Sequence, residues 1–131
     1  MKNKFKKNWK SSKQPRKQRK YLAKAPLHIR KKVVNANLSK DLRKNHGKRN
    51  MPLRKGDTVR IMVGKFKGKK GKVTKILLKT SKIIIEGIQI KKKDGSKIDV
   101  KMEPSNLQIL ELSLDDKKRI KNKEKTGVKE K

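Results

Sequence analysis

Arg54-Lys55-Gly56-Asp57-Thr58-Val59-Arg60-Ile61-Met62-Val63-Gly64-Lys65-Phe66-Lys67-Gly68-Lys69-Lys70-Gly71-Lys72-Val73 is the stretch on which the fold is decided. Val59, Ile61 and Val63 alternate with Thr58, Arg60 and Met62, the period of a strand with one face on a core. Asp57 precedes the strand and reads as a pin for its start. Three glycines then punctuate a lysine-rich turn. Glycine tolerates positive φ and lets backbone approach a partner closely. A second strand is expected over about 72–79, where the apolar phase slips between Val73 and Ile76, as a bulge would produce.

Downstream the same grammar continues. Lys82 to Ile90 reads as a third strand broken near Gly87, and Asp94-Gly95 is a two-residue hairpin signal. Ile98, Val100 and Met102 form the next strand, Pro104-Ser105-Asn106 a corner, and Leu107, Ile109 and Leu112 the last. Five short strands within 53–112 describe a mainly β unit, a small five-stranded SH3-like barrel. Ser113 reads as the cap of a short C-terminal helix, followed by a charged tail to 131.

Upstream the composition changes. Residues 1–55 hold 21 Lys and Arg against one acid, Asp41, while dense apolar runs lie between Val59 and Leu114. The folded unit is therefore expected to begin near Leu53, with a basic N-terminal extension that cannot bury a core of its own. Residues 1–24 read as an extended arm, disordered when free, with Phe5, Trp9 and Tyr21 scattered in it. Residues 25–52 read as a short helical extension. Pro26 suits a helix start, Ser39 an N-cap, and Gly47 a C-terminal stop. Helices this short need outside support.

The whole chain has 131 residues and a formal net charge of +32. Such a charge repels itself, so a polyanion is expected as a permanent neighbour. No apolar run approaches the roughly 20 residues of a membrane span, so membrane insertion is not expected. The basic start lacks the apolar segment of a secretory signal. Cysteine is absent and there are two histidines, too few for a zinc cluster. His28 and His46 sit beside cations and read as donors to phosphate or as surface residues. The acids are scattered without a matched nucleophile or base, so catalysis, a small-molecule substrate and a cofactor are all unexpected.

The loop carries the functional reading. Gly64, Lys65, Phe66, Lys67, Gly68, Lys69 and Lys70 combine phosphate-seeking charges with one ring, and Arg54, Lys55 and Lys72 flank them. The ring either stacks on a base or ribose, or packs on the core. In the extension, Arg16, Lys17, Arg19 and Lys20 form one basic run. His28, Arg30, Lys31 and Lys32 form a second, and Arg43 and Lys44 a third. All are candidate RNA contacts. Trp9 and Tyr21 either stack on bases or stand idle. Lys91-Lys92-Lys93 either touch RNA or keep an edge strand from aggregating.

The run from Arg54 to Val73 resembles the KOW motif, which NusG-type transcription factors share with several ribosomal proteins. The flanks narrow the choice. Gln14-Pro15-Arg16-Lys17-Gln18-Arg19-Lys20, Ala25-Pro26-Leu27-His28-Ile29-Arg30 and Leu38-Ser39-Lys40-Asp41-Leu42-Arg43 resemble the extension of the archaeal-type large-subunit ribosomal protein L twenty-four family. So do Pro104-Ser105-Asn106-Leu107 and Leu114-Asp115-Asp116-Lys117-Lys118-Arg119. The resemblance spans about 14–120 and departs at Glu103, where that family usually has histidine, so no contact is carried over there. It implies a cytoplasmic ribosomal protein that binds large-subunit ribosomal RNA near its 5′ end and initiates assembly. It further implies a place beside the polypeptide exit tunnel among neighbouring ribosomal proteins, without homo-oligomerisation. The competing reading is a KOW-type transcription elongation factor. Residues 1–52 are too poor in apolar residues to form the second domain such a factor carries.

Overall fold

Alternation at the centre of the quoted stretch becomes a short strand, β3 (Thr58–Ile61), with Val59 and Ile61 fully buried and Thr58 and Arg60 half-exposed. It ends earlier than expected, since Val63 lies beyond it and is exposed. The computed structural model describes residues 4–119.

Strand β3 pairs antiparallel on one side with β4 (Lys70–Leu77) and on the other with β7 (Leu107–Glu111). From β4 the sheet continues through β5 (Lys82–Lys91) to β6 (Lys97–Met102). The register between β4 and β5 shifts between Val73 and Lys75, where the apolar phase slipped in the sequence. The β5–β6 register breaks between Ile84 and Gln89, around Gly87. Asp94-Gly95 closes the β5–β6 hairpin, with the Lys92 N–H donating to Ser96 O at 2.7 Å. Pro104–Asn106 turns the corner as a single 3-10 turn.

Two strands were not anticipated. Between α2 (Leu27–Val33) and α3 (Lys40–His46) lies β1 (Asn35–Leu38), and β2 (Asn50–Pro52) follows α3. β1 runs parallel to β7, and β2 pairs antiparallel with β1. The result is a mainly β fold with one seven-stranded sheet in the order β2-β1-β7-β3-β4-β5-β6. The sheet is not closed into a barrel. The second edge of β7, which closure could have used, is taken by β1. Core packing therefore crosses the boundary expected at Leu53: Val34, Ala36, Leu38 and Met51 join Val59, Ile83, Ile85 and Ile109 in one buried cluster.

The helices follow their punctuation. Ser39 Oγ accepts the Leu42 N–H, and Gly47, left-handed at φ +63°, ends α3. In place of an extended arm, residues Pro15–Lys24 form α1, preceded by a 3-10 turn at Lys7–Trp9. PRKQRKYLAK contains no β-branched residue or glycine, and its proline occupies the first helical position. No residue of α1 is buried. Its C-terminal end is held by Arg30, which donates to Ala23 O (2.6 Å) and Ala25 O (2.9 Å).

Ser113 does not cap a C-terminal α-helix. A 3-10 turn at Lys117–Arg119 stands in its place, and the rest of the expected tail lies outside the described residues. The Ser113 backbone is used elsewhere. Its N–H donates to Asp57 Oδ1 (2.8 Å), and its carbonyl accepts from Arg119 (3.0 Å). Asp57 is fully buried and also accepts the Arg54 N–H (3.0 Å) and both terminal nitrogens of Arg119, one at 2.6 Å. Arg119 completes the knot by donating to Pro52 O (3.1 Å). Asp57 thus pins the strand start, as its position suggested, with an arginine 62 residues away as partner.

Removing Arg119 leaves a buried carboxylate without its counter-charge. Arg119→Ala should therefore lower the unfolding free energy by about 3–5 kcal/mol in urea titrations monitored by circular dichroism. A loss under about 1 kcal/mol would show that water or another cation replaces the guanidinium. At Gly71 an added Cβ would lie 2.6 Å from Ile85 Cγ2 and 2.8 Å from the Glu86 carbonyl oxygen. Gly71→Ala should cost about 1–3 kcal/mol in the same assay, the usual range for overpacking.

Candidate nucleic-acid interface

The β3–β4 connection is built by its own backbone. Ile61 N–H donates to Lys69 O (2.9 Å), and Gly68 N–H returns to Ile61 O (2.8 Å). Gly64 (φ +97°) and Gly68 (φ +86°) occupy the left-handed region that side chains avoid. This tight loop carries Lys65, Lys67 and Lys69, with Lys70 and Lys72 on the strand that follows, and all five are exposed. Phe66 is half-buried and packs against the core. Its ring is the loop's anchor, with Lys69 Nζ 5.1 Å from the ring centroid. Gly71 does allow close approach, but to β5 of its own sheet.

Strand register places a second set of polar residues beside the loop. Asn50 pairs with Asn37, Asn37 with Gln108, Gln108 with Arg60, and Arg60 with Lys70. Paired positions share a sheet face. These five form one row across β2, β1, β7, β3 and β4, on the side opposite buried Leu38, Ile109 and Val59. Arg60 Nε is buried without a hydrogen-bond partner, and so is Arg43 Nε on α3. Apart from Arg43 and Lys70, sequence reasoning passed over this set. The alternation marked Arg60 as outward, but the row exists only through the register.

The remaining candidates fall into two groups. Arg16, Lys20, His28, Lys31, Lys32, Lys44 and Lys55 are exposed. The others have partners inside the protein. Arg30 holds the end of α1, Arg54 donates to Asp116 Oδ2 at 2.7 Å, and Lys17 lies 3.9 Å over the Trp9 ring. Arg19 Nε makes a long bond to Pro15 O (3.4 Å).

Three acids outside the core are engaged locally. The Arg54 hydrogen bond, followed by the Lys118 N–H, holds the Asp116 carboxyl below the usual aspartate range. Lys82, 2.8 Å away, does the same for Glu103. Ser96, through its hydroxyl and then its N–H, lowers Asp94. These acids are bonded where they stand, whereas the loop lysines face solvent. No helix among the described residues is long and apolar enough to cross a membrane.

A loop of lysines set on left-handed glycines, entered from a Gly-Asp strand start and followed by a sheet that the N-terminal extension completes, is the arrangement on which the comparison with known families bears. A family model that describes the eukaryotic ribosomal proteins L twenty-six and their archaeal counterparts, L twenty-four, matches residues 12–125. The chain belongs to this family. The match takes in α1, the helical extension and the whole sheet, so every candidate from Arg16 to Lys72 lies within the matched span. Phe5 and Trp9 lie outside it. Glu103, the position at which the sequence departs from the resemblance, accepts a hydrogen bond from Lys82.

Two tests separate structural from free side chains. Phe66→Ala should lower stability by about 2 kcal/mol, roughly half the cost of emptying a fully buried phenylalanine site. Replacing Lys65, Lys67, Lys69 and Lys70 together with Ser should leave stability unchanged or raise it, because like charges are removed. For Asp116 the folded-state value is depressed, so the contribution of its pair with Arg54 is present above the unfolded value. It is lost as pH falls through the folded one. Carbon-detected NMR should find Asp116 titrating below ordinary aspartates, and Arg54→Ala should move it back up.

Proposed function

We propose that the chain is a structural constituent of the large ribosomal subunit that binds large-subunit ribosomal RNA directly, by phosphate neutralisation, and has no catalytic role. The observation that carries this reading is the exposed lysine cluster at 65, 67, 69 and 70, which makes no salt bridge among the described residues and which the polar row from Asn50 to Lys70 extends across the sheet. Lysines meet phosphates as mobile point charges, and a rigid backbone beneath them fixes where that charge sits. Arg60, half-buried on that row between Gln108 and Lys70, adds a fixed positive charge to the same face. Family membership supports the ribosome, hence the cytoplasm, as the setting.

In this reading α1 and α2 lie between RNA helices and the sheet contributes its loop and polar row. The family resemblance adds the finer placement: binding near the 5′ end of the RNA, initiating assembly, and sitting beside the polypeptide exit tunnel with neighbouring ribosomal proteins.

The decisive experiment is filter binding to a 5′ fragment of large-subunit RNA across a salt series. Each neutralised phosphate contributes about 0.7–0.9 to the slope of log affinity against log salt, so the slope should be steep. The quadruple Lys→Ser variant should flatten it by roughly three. Deleting residues 1–24 should weaken binding severely with the sheet intact, because α1 buries nothing. A larger deletion of 1–52 would remove Val34, Ala36, Leu38 and Met51 from the core and would not test RNA binding cleanly. A slope near zero, or co-sedimentation of the endogenous protein with RNA polymerase instead of large subunits, would overturn the reading.

A further inference from the structure

The chain before α1 folds back on that helix. Phe5 and Tyr21 meet with ring centroids 4.9 Å apart at 50°, and Trp9 lies under Lys17 Nζ. Between them is an open cleft of about 800 Å³, within the size range of ligand pockets, roughly 300–1,000 Å³. Its aromatic walls are Phe5, Trp9 and Tyr21, and lysines form the rest of its lining. Trp9 is 47% exposed.

The helix is cut for this cleft. Lys17, Lys20, Tyr21 and Lys24 recur at the spacing of one helical face. Arg16, Arg19 and Ala23 fall on the other side. No acid occurs before Asp41, so nothing in this part of the chain neutralises the rim.

We infer that this cleft is a binding site for an unpaired RNA base, with the rings stacking on the base and the rim lysines taking its flanking phosphates. The inference rests on the proposed RNA-binding function and adds what the N-terminal segment recognises. Three rings at a cationic surface exceed what phosphate binding needs. Bases in an A-form helix are stacked and shielded, whereas a splayed base in a loop or bulge offers its faces to aromatic side chains. Stacking of this kind tolerates any base. A membrane interface would need a wide apolar face, and the helix has only Leu22 and Ala23 as aliphatic residues before its last turn ends. An acidic peptide would use the lysines and leave the rings unexplained.

Trp9 is the only tryptophan in the chain and therefore reports on the cleft directly. The full-length protein is titrated with an oligoadenylate single strand and with an RNA duplex of equal phosphate number, following both Trp9 emission and RNA anisotropy. The expected result is loss of emission with the single strand, and binding without that loss for the duplex. Phe5→Ala with Tyr21→Ala should weaken single-strand binding about ten-fold, the scale of one stacked base, and leave duplex binding unchanged. Circular dichroism checks that α1 persists in that variant. Equal emission loss with both RNAs, or unchanged single-strand affinity in the variant, overturns the inference while leaving the proposed function standing. A Trp9 blue shift on anionic vesicles but no response to single-stranded RNA assigns the cleft to lipid and also overturns it. Binding to neither RNA removes the proposed function itself.

Discussion

The buried pair between Asp57 and Arg119 is the constraint on which the arrangement of this chain turns. A carboxylate with no exposure is tolerable only when its charge and its lone pairs are matched. Asp57 meets both needs with one guanidinium and two backbone N–H groups. Those partners come from the turn before β3, the end of β7 and the C-terminal segment. Replacing such a pair with apolar residues often costs little, so the pair is weak evidence of net stability. Its stronger effect is on placement. Arg119 bonds to Asp57, to Ser113 O and to Pro52 O, which belong to three separate segments, and one position alone satisfies them all. The extension, the strand pair β3–β7 and the C-terminal segment are thereby fixed relative to one another.

That knot illustrates a division of labour between the two basic residue types. Arginine carries donors in a planar fork, suited to fixed acceptors, whereas lysine carries a mobile point charge. Arg30 holds the carbonyls at the end of α1, Arg54 meets Asp116, and Arg119 meets Asp57. The lysines of the β3–β4 loop are left to solvent. Arg43 and Arg60 stand between these groups, packed by the protein yet lacking an acceptor at Nε. Acids follow the same logic in reverse: Asp57, Glu103 and Asp116 each meet a cation.

Much of the sheet was legible because its signals are local. Alternation fixed β3, the apolar phase slip marked the bulge between Val73 and Lys75, and Gly87 and Asp94-Gly95 marked a break and a hairpin. Ser39 and Gly47 bounded α3 through cap chemistry that a few residues contain. What escaped depends on distant partners. Asn35-Ala36-Asn37-Leu38 and Asn50-Met51-Pro52 have weak strand propensity. They become strands because β7 offers an unpaired edge, with Pro52 tolerated at the outer margin. That edge also explains why the anticipated barrel stays open. In the candidate site, charge and exposure were readable for the loop lysines. The internal duties of Arg30 and Arg54, the anchoring of Phe66 and the row through Arg60 were not, since each requires knowing what lies across the fold.

The extension contributes to the fold unevenly. β1 and β2 are part of the core, but α1 buries no residue and touches the rest mainly through Arg30 and the short turn at Lys7–Trp9. A ten-residue helix without tertiary burial is marginal in water, and lysines along one face oppose it further. Neutralising those charges removes the repulsion and favours the same helical geometry that aligns Lys17, Tyr21 and Lys24. Under the proposed RNA binding, ordering of α1 and engagement of a polyanion would be linked thermodynamically, each favouring the other. The sheet supplies a rigid frame, fixed by Asp57 and Arg119. The arm supplies a cationic face, with Lys17, Lys20 and Lys24 beside Tyr21.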